Sequence, residues 1–251
     1  MKAIGGAVAV AIGAWPATAG AQAAPDLTVE IEAASDWRAR GLSQSEGRAA
    51  VQVLGTWAPA ESLAIEMAAT TLRGSARHGG SDLGLTLAPA FSTTAAGWTW
   101  RAGATGRVFA GRESDGSGTL TYAEFNAGAT RTIGPLRLAL GADYAPRQAA
   151  IGGDNLYVHV MVASGLPGTA FTVYAGGGYS LGRARAGGAT WRLRPQGDYG
   201  DLQAGVMRVS GRLTLGLRAT ATVGPRHTAD APARRRDGAS LVGYLRVAAW
   251  P

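Results

Sequence analysis

Leu136-Arg137-Leu138-Ala139-Leu140-Gly141-Ala142-Asp143-Tyr144 is the stretch that decides the fold. Leu136, Leu138, Leu140, Ala142 and Tyr144 fall on one side of an extended chain, with Arg137, Ala139, Gly141 and Asp143 on the other. Successive side chains of a strand point to opposite faces, so this alternation marks a strand with one apolar and one polar face. Ile133-Gly134-Pro135, just before it, supplies a tight turn. The same pattern recurs upstream, with Leu27, Val29, Ile31 and Ala33 in a run over about 26–36, then Val51, Val53, Gly55 and Trp57. Leu63, Ile65, Met67 and Ala69 follow, then Leu83, Leu85 and Leu87, then Trp98, Trp100, Ala102 and Ala104. A weaker run carries Ala123, Phe125 and Ala127. Downstream come Leu156, Val158, Val160 and Val162, then Phe171, Val173, Ala175, Gly177 and Tyr179. Leu202, Ala204 and Val206 lead to Leu213, Leu215, Leu217 and Ala219, and a last run reaches Trp250.

About twelve strands of this kind predict an all-β protein, a transmembrane antiparallel up-and-down β-barrel. The links sort by length. Those after the even-numbered strands are short and those after the odd-numbered strands are generally longer and polar, as in barrels with both termini on the periplasmic side. Aromatic residues add rims. Trp37, Tyr144 and Tyr179 fall near the outer strand ends, and Trp57 and Trp98 near the inner ends, where amphipathic rings suit an interface. The last strand breaks phase, because Trp250 disagrees with Leu241, Leu245 and Val247, and Pro251 follows it.

The chain has 251 residues, 38 Gly, no Cys and a net charge of +7. Such a glycine count suits close strand approach and turns. The absence of cysteine excludes disulfides and thiolate metal sites. Lys2 is the only Lys, and the Arg residues are scattered through alternating runs instead of lining a helix, which argues against nucleic-acid binding. Residues 1–23 read as a secretory signal: Lys2, the apolar stretch Ala7–Trp15, and Ala21-Gln22-Ala23 as the cleavage motif. The apolar stretch is far short of the roughly 20 residues of a spanning helix. Residues 24–251 are then the barrel, exported to a Gram-negative outer membrane.

Ser35-Asp36-Trp37-Arg38-Ala39-Arg40-Gly41-Leu42-Ser43-Gln44-Ser45, followed by Glu46-Gly47-Arg48-Ala49-Ala50-Val51-Gln52, resembles the first hairpin of a family of proteobacterial outer-membrane proteins, the TorF-like porins. The usual form reads roughly S-D-Y-x-F-R-G-x-S-Q-S/T. Arg40, Gly41, Ser43 and Gln44 match it, while Trp37 replaces a common Tyr and Ala39 a common aromatic. The resemblance implies a membrane β-barrel with a porin-like role and no particular substrate.

If the apolar face meets lipid, the other lines the lumen. That face carries Glu30, Glu32, Glu66, Asp82, Glu124, Asp143 and Asp201, together with Arg101, Arg107, Arg137, Arg212, Arg218, Arg246 and His159. Charges are tolerated there, whereas on the lipid face Arg or Lys costs about 2–4 kcal/mol at mid-depth. Two readings stand open: a charged constriction that selects small hydrophilic solutes, or Arg–carboxylate pairs that fill a narrow barrel. Catalysis finds no support. His78, His159 and His227 lack any recognisable motif, and no metal-ligand spacing is present. No cofactor is expected. Arg183, Arg185, Arg192 and Arg194 in one basic loop, and Arg226, Arg234, Arg235 and Arg236 in another, are placed outside, where guanidinium groups suit lipopolysaccharide phosphates or anionic solutes.

The function expected is a porin-like channel for passive passage of small hydrophilic or ionic solutes, with the barrel-assembly machinery as partner during insertion. The rivals are a closed structural or adhesion barrel and a soluble exported β-sandwich. The first outer loop, Trp37–Arg48, is expected at the mouth, with Gly41 allowing an inward bend and Arg40 pairing with Glu30 and Glu32.

Overall fold

The structure, a computed structural model, describes residues 26–111, 121–183, 192–195, 197–224 and 237–250. The proposed signal lies outside these residues. The barrel strands are β1 (Asp26–Ala34), β4 (Ala50–Ala60), β5 (Leu63–Ser75), β6 (Ser81–Ala95), β7 (Trp98–Gly111) and β8 (Tyr122–Ile133). They continue with β9 (Leu136–Gln148), β10 (Gly153–Gly165), β11 (Phe171–Leu181), β12 (Tyr199–Ser210), β13 (Leu213–Val223) and β14 (Ser240–Trp250). Each pairs antiparallel with its neighbours, and β1 joins both β4 and β14, so the sheet closes on itself with no free edge. A closed antiparallel barrel of twelve strands is therefore the fold, and a two-layer sandwich is not. A minute second sheet, β2 (Arg38–Ala39) with β3 (Leu42–Ser43), lies between β1 and β4.

The alternation read from the sequence sorts the two faces. Leu27, Ile31, Val53, Leu87, Phe125, Leu140, Val160, Leu202 and Leu217 are exposed on the outer wall. Exposed apolar surface on this scale needs an apolar solvent, and a bilayer supplies it. Inside, Glu32, Glu66, Glu124, Asp201, Arg218 and Arg246 are buried. One end carries the two-residue turns 61–62, 96–97, 134–135 and 211–212 and the link 166–170. The other end carries the longer links, though those between β5 and β6 and between β9 and β10 are short, each built on a 3-10 turn (Ala76–His78 and Ala149–Ile151). Loop length is thus a weaker guide at these two places, and the end with the longer links is here the outer one.

Inward aromatics explain several glycines. Tyr174 covers Gly205, Tyr244 covers Gly216, His159 covers Gly141 and Tyr157 covers Gly178, each on the adjacent strand, and a Cβ at any of them would strike the ring. A ring laid flat on a bare backbone shields its hydrogen bonds and pins the register. The phase break near the C-terminus also has a cause. Val29 pairs with Trp250 but Glu30 with Ala248, so Ala249 is a one-residue bulge that returns Trp250 to the phase of outward Val29. Tyr144, Tyr179 and Trp57 are exposed on the outer wall. Trp37 is not: β1 ends at Ala34, the chain turns inward, and Trp37 packs in the lumen with Ala34, Ala50, Met207, Val242 and Tyr244.

Candidate functional site: a hairpin folded into the lumen

Residues 35–49 fold into the barrel instead of projecting from it. Arg38 pairs with Ser43 and Ala39 with Leu42, leaving Arg40 (φ 51°) and Gly41 (φ 72°) as the two-residue turn. Positive φ at both central positions is the signature of a tight hairpin turn that matches the twist of its strands. Gly41 answers a second demand, since a Cβ there would lie 2.8 Å from both Asp201 Cβ and Thr222 Cγ2. The bend is the one the sequence allowed.

A buried carboxylate organises the base of the hairpin. Asp36 Oδ1 accepts from Ser43 Oγ (2.7 Å), Ser45 Oγ (3.1 Å) and Gly47 N (3.2 Å), while Oδ2 faces Arg38 Nη1 at 2.9 Å. Arg38 Nη2 then donates to Gly41 O (2.5 Å) and to Gly238 O (3.0 Å). Other outer segments bolt this unit in place. Arg77 donates from Nε to Ser43 O (3.0 Å) and from Nη1 to Arg192 O (3.1 Å), and pairs with Asp237 at 2.5 Å. Asp237 Oδ1 also accepts from Ser43 N at 3.1 Å. Gln44 Oε1 meets His78 Nε2 at 2.8 Å, and the His78 ring stacks on Phe109 with centroids 4.2 Å apart. Burial, then the nearby Arg192, Arg77 and Arg107, hold the His78 pKa well below its usual range, so this ring is neutral.

The tip crosses the lumen. Arg40 Nη2 reaches Glu124 Oε1 at 2.8 Å and Asp143 Oδ2 at 3.4 Å, and its Cζ stands 4.6 Å from the centre of the Tyr157 ring. Tyr199 Oη donates to Arg40 O at 3.0 Å. Burial alone would lower the Arg40 pKa, but Glu124 and Asp143 more than offset it and raise it. The expected pairing of Arg40 with Glu30 and Glu32 is therefore corrected. Glu32 instead accepts from Arg246 Nε at 2.9 Å, with Glu30 3.9 Å from the same nitrogen.

Below the hairpin lies a cavity of about 170 Å³, lined among others by Glu30, Glu32, Arg40, Glu66, Arg101, Arg107, Glu124, Asp143, His159 and Arg246. Most of the lumen residues read from alternation meet here. Arg101 pairs with Glu66 at 2.7 Å, and Arg107 lies 3.6 Å from Glu124. His159 lies 3.7 Å from Asp143 and stacks on Tyr157. Arg218 faces inward elsewhere, its Cζ 5.9 Å from the Tyr244 ring centre, and Arg137 faces inward near the inner end. Two lumen assignments fail. Asp82 sits in a register shift between β6 and β7 and is exposed at the rim, and Arg212 lies in the exposed turn 211–212. Alternation cannot see a bulge or place a turn residue.

The basic loops also divide. Arg183 is exposed, but Arg192 and Arg194 are buried: the Arg192 guanidinium stands over Phe109 at 5.2 Å, and Arg194 bonds Gly182 O, Asp154 O and Asp198. They belong to the closure of the mouth and not to its lipid rim. Arg185, Arg226, Arg234, Arg235 and Arg236 lie outside the described residues. Sequence reasoning missed Arg77, Asp237, Tyr157 and Tyr199 as parts of the site. Tyr157 and Tyr199 offered a signal, each an aromatic on the polar face of its strand. Among the described residues no group of three His, Cys, Asp or Glu side chains could hold a metal ion.

The family model Gcw_chp, described as a bacterial protein of unknown function, matches residues 18–236. The chain belongs to that family. Its description carries no TorF-like or porin label, so the resemblance drawn from Ser35–Ser45 is not confirmed by it. No curated protein matches the chain. Among solved structures, the fold is similar to the KdgM porin at 7% identity and a TM-score of 0.54, covering 88% of this chain and 98% of that one. The same porin in complex with disordered oligogalacturonate gives 8% identity and a TM-score of 0.52, over 89% and 99%. An outer-membrane channel from Pseudomonas putida F1 gives 11% identity and a TM-score of 0.52, over 90% and 95%. At such identities the likeness is one of fold.

Proposed function

We propose that this protein is an outer-membrane, porin-like channel for passive passage of small hydrophilic or ionic solutes, without catalytic residues or a cofactor. The observation that carries the reading is the charged cavity beneath the hairpin, inside a closed barrel whose outer wall is apolar. A polar interior that pairs its own charges keeps water at mid-depth without exposing charge to lipid. The hairpin tipped by Arg40 is the constriction, since it spans from β1 to Glu124 and Asp143 across the lumen. In this reading residues 1–23 serve export, and the basic residues Arg183 and Arg234–Arg236 bind lipopolysaccharide phosphates. Replacing Arg234–Arg236 with Ser should loosen the barrel in lipopolysaccharide and not in neutral detergent.

Single-channel recording in a planar bilayer tests the channel. Heat-modifiable gel migration first establishes that the protein is a folded barrel, and stepwise current is then expected. Folded protein that gives no current, with the hairpin both intact and deleted over residues 38–43, refutes it. The second reading, a closed barrel whose outer loops bind a partner, draws on the burial of the hairpin: Arg38 and Ser43 are each 3% exposed. Current appearing only after deletion would mark a gated channel and separate it from that closed barrel.

A further inference from the structure

Arg40 brings a guanidinium to a place in the wall that is organised without it. Its three partners, Glu124, Asp143 and Tyr157, stand on the successive strands β8, β9 and β10, and none belongs to the loop that supplies Arg40. Asp143 and Tyr157 are held by other wall residues. Asn126 Nδ2 donates to Asp143 Oδ1 at 2.6 Å, and Tyr157 Oη donates to Asp201 Oδ2 at 2.9 Å. The Tyr157 ring is further fixed by stacking on His159, with centroids 5.3 Å apart. Two carboxylate oxygens and an aromatic face are what a flat, delocalised cation uses, and they suit a guanidinium better than a strongly hydrated ammonium.

The loop fits this place less well than the place fits a guanidinium. Arg40 takes a positive φ that a non-glycine residue adopts at a cost. Its Nη1 is buried with no hydrogen-bond partner among the described residues. The charges also match a free cation. With Arg40 withdrawn, the two carboxylates Glu124 and Asp143 face one guanidinium, that of Arg107, 3.6 Å from Glu124. The cavity reaches Arg40, Glu124, Asp143 and His159, so a solute in it arrives beside these groups.

We infer that Glu124, Asp143 and Tyr157 form a binding site for small guanidinium-bearing solutes, which Arg40 occupies as a tethered stand-in while the hairpin closes the lumen. This rests on the channel reading and gives it a solute class. It also couples the two events, because a solute that takes the site displaces the tip of the hairpin.

The test is calorimetric titration of methylguanidinium chloride into the refolded full chain in neutral detergent, each variant first shown to be a barrel by heat-modifiable migration. Arg40→Ala should bind at least tenfold more tightly than the wild type. Arg40→Gln, which keeps the bulk of the tip, should do the same. Arg40→Ala combined with Asp143→Asn should lose the gain, and methylammonium should bind more weakly than methylguanidinium. No binding to either Arg40 variant, or equal binding to all variants, overturns the inference. Bilayer current separates it from the channel reading: current through Arg40→Ala without methylguanidinium binding removes the site and leaves the channel, while binding with no current even after deletion of residues 38–43 removes the channel.

Discussion

At the outer end, Asp36, Arg38, Ser43 and Ser45 are each at most 5% exposed and tied to one another, whereas at the inner end the turns 134–135 and 211–212 stand in solvent. Between them, the pairs Glu66–Arg101 and Glu30–Arg246 face a cavity. The same two kinds of side chain thus have different work in the two halves. Outside, Arg and Asp hold one folded loop in a dry setting, where a lost partner is expensive. Further in, they line a cavity with room for water, although Glu66 and Arg246 are themselves only 6% and 8% exposed.

Removing Asp36 is the severest way to test that division. Asp36→Ala leaves Arg38 buried without its carboxylate, a change of about 3–5 kcal/mol for a pair of this kind. Limited proteolysis at neutral pH should cut within residues 35–49 of the variant while the barrel strands survive, and wild-type resistance there would break the comparison. Acid comes next in size. His78 is held neutral, with its pKa below the unfolded value of 6.5. Its contribution to loop stability is complete above pH 6.5 and falls as pH drops below it, because the unfolded loop takes up a proton that the folded loop refuses. The slope is at most about 1.4 kcal/mol per pH unit for one proton. Protease sensitivity of the loop should rise below pH 6.5 in the wild type and stay flatter in His78→Phe, which keeps the stack on Phe109. Glu66→Gln should cost only about 1 kcal/mol in a urea titration, since an amide still accepts from Arg101. Arg212→Ser should change the same titration by less than about 0.5 kcal/mol, as expected for a solvated turn residue.

The barrel was legible because lipid contact writes a local code. Leu213, Leu215 and Leu217 repeat every second residue whatever lies on neighbouring strands. The lumen charges were legible by the same parity, with the failures at Asp82 and Arg212, where a bulge or a turn interrupts the count. The hairpin was half legible. Gly41 announced a bend, but its destination depends on the pairing of Arg40 with Glu124 and Asp143, 84 and 103 residues from it, and no pattern within one loop encodes partners at that distance. Trp37 misled for a related reason: an aromatic after an apolar run suits a membrane rim or a core equally, and only the end of β1 at Ala34 decides between them. Arg192 and Arg194 looked solvated because a basic run usually is; here they are buried beside Phe109 and against the backbone carbonyls of residues 154 and 182.

Ala249 has a consequence of its own. In a cylinder of paired strands, the inside and outside of the final residues are settled by counting from the closing seam, and one inserted residue inverts the count. Drawn into regular pairing, Ala249 would take the place opposite Val29, leaving Leu241, Leu245 and Val247 where they are and turning the indole of Trp250 to the inner side that Glu30 occupies. The bulge at a single alanine thus decides whether Trp250 lies on an oily surface or in a charged interior.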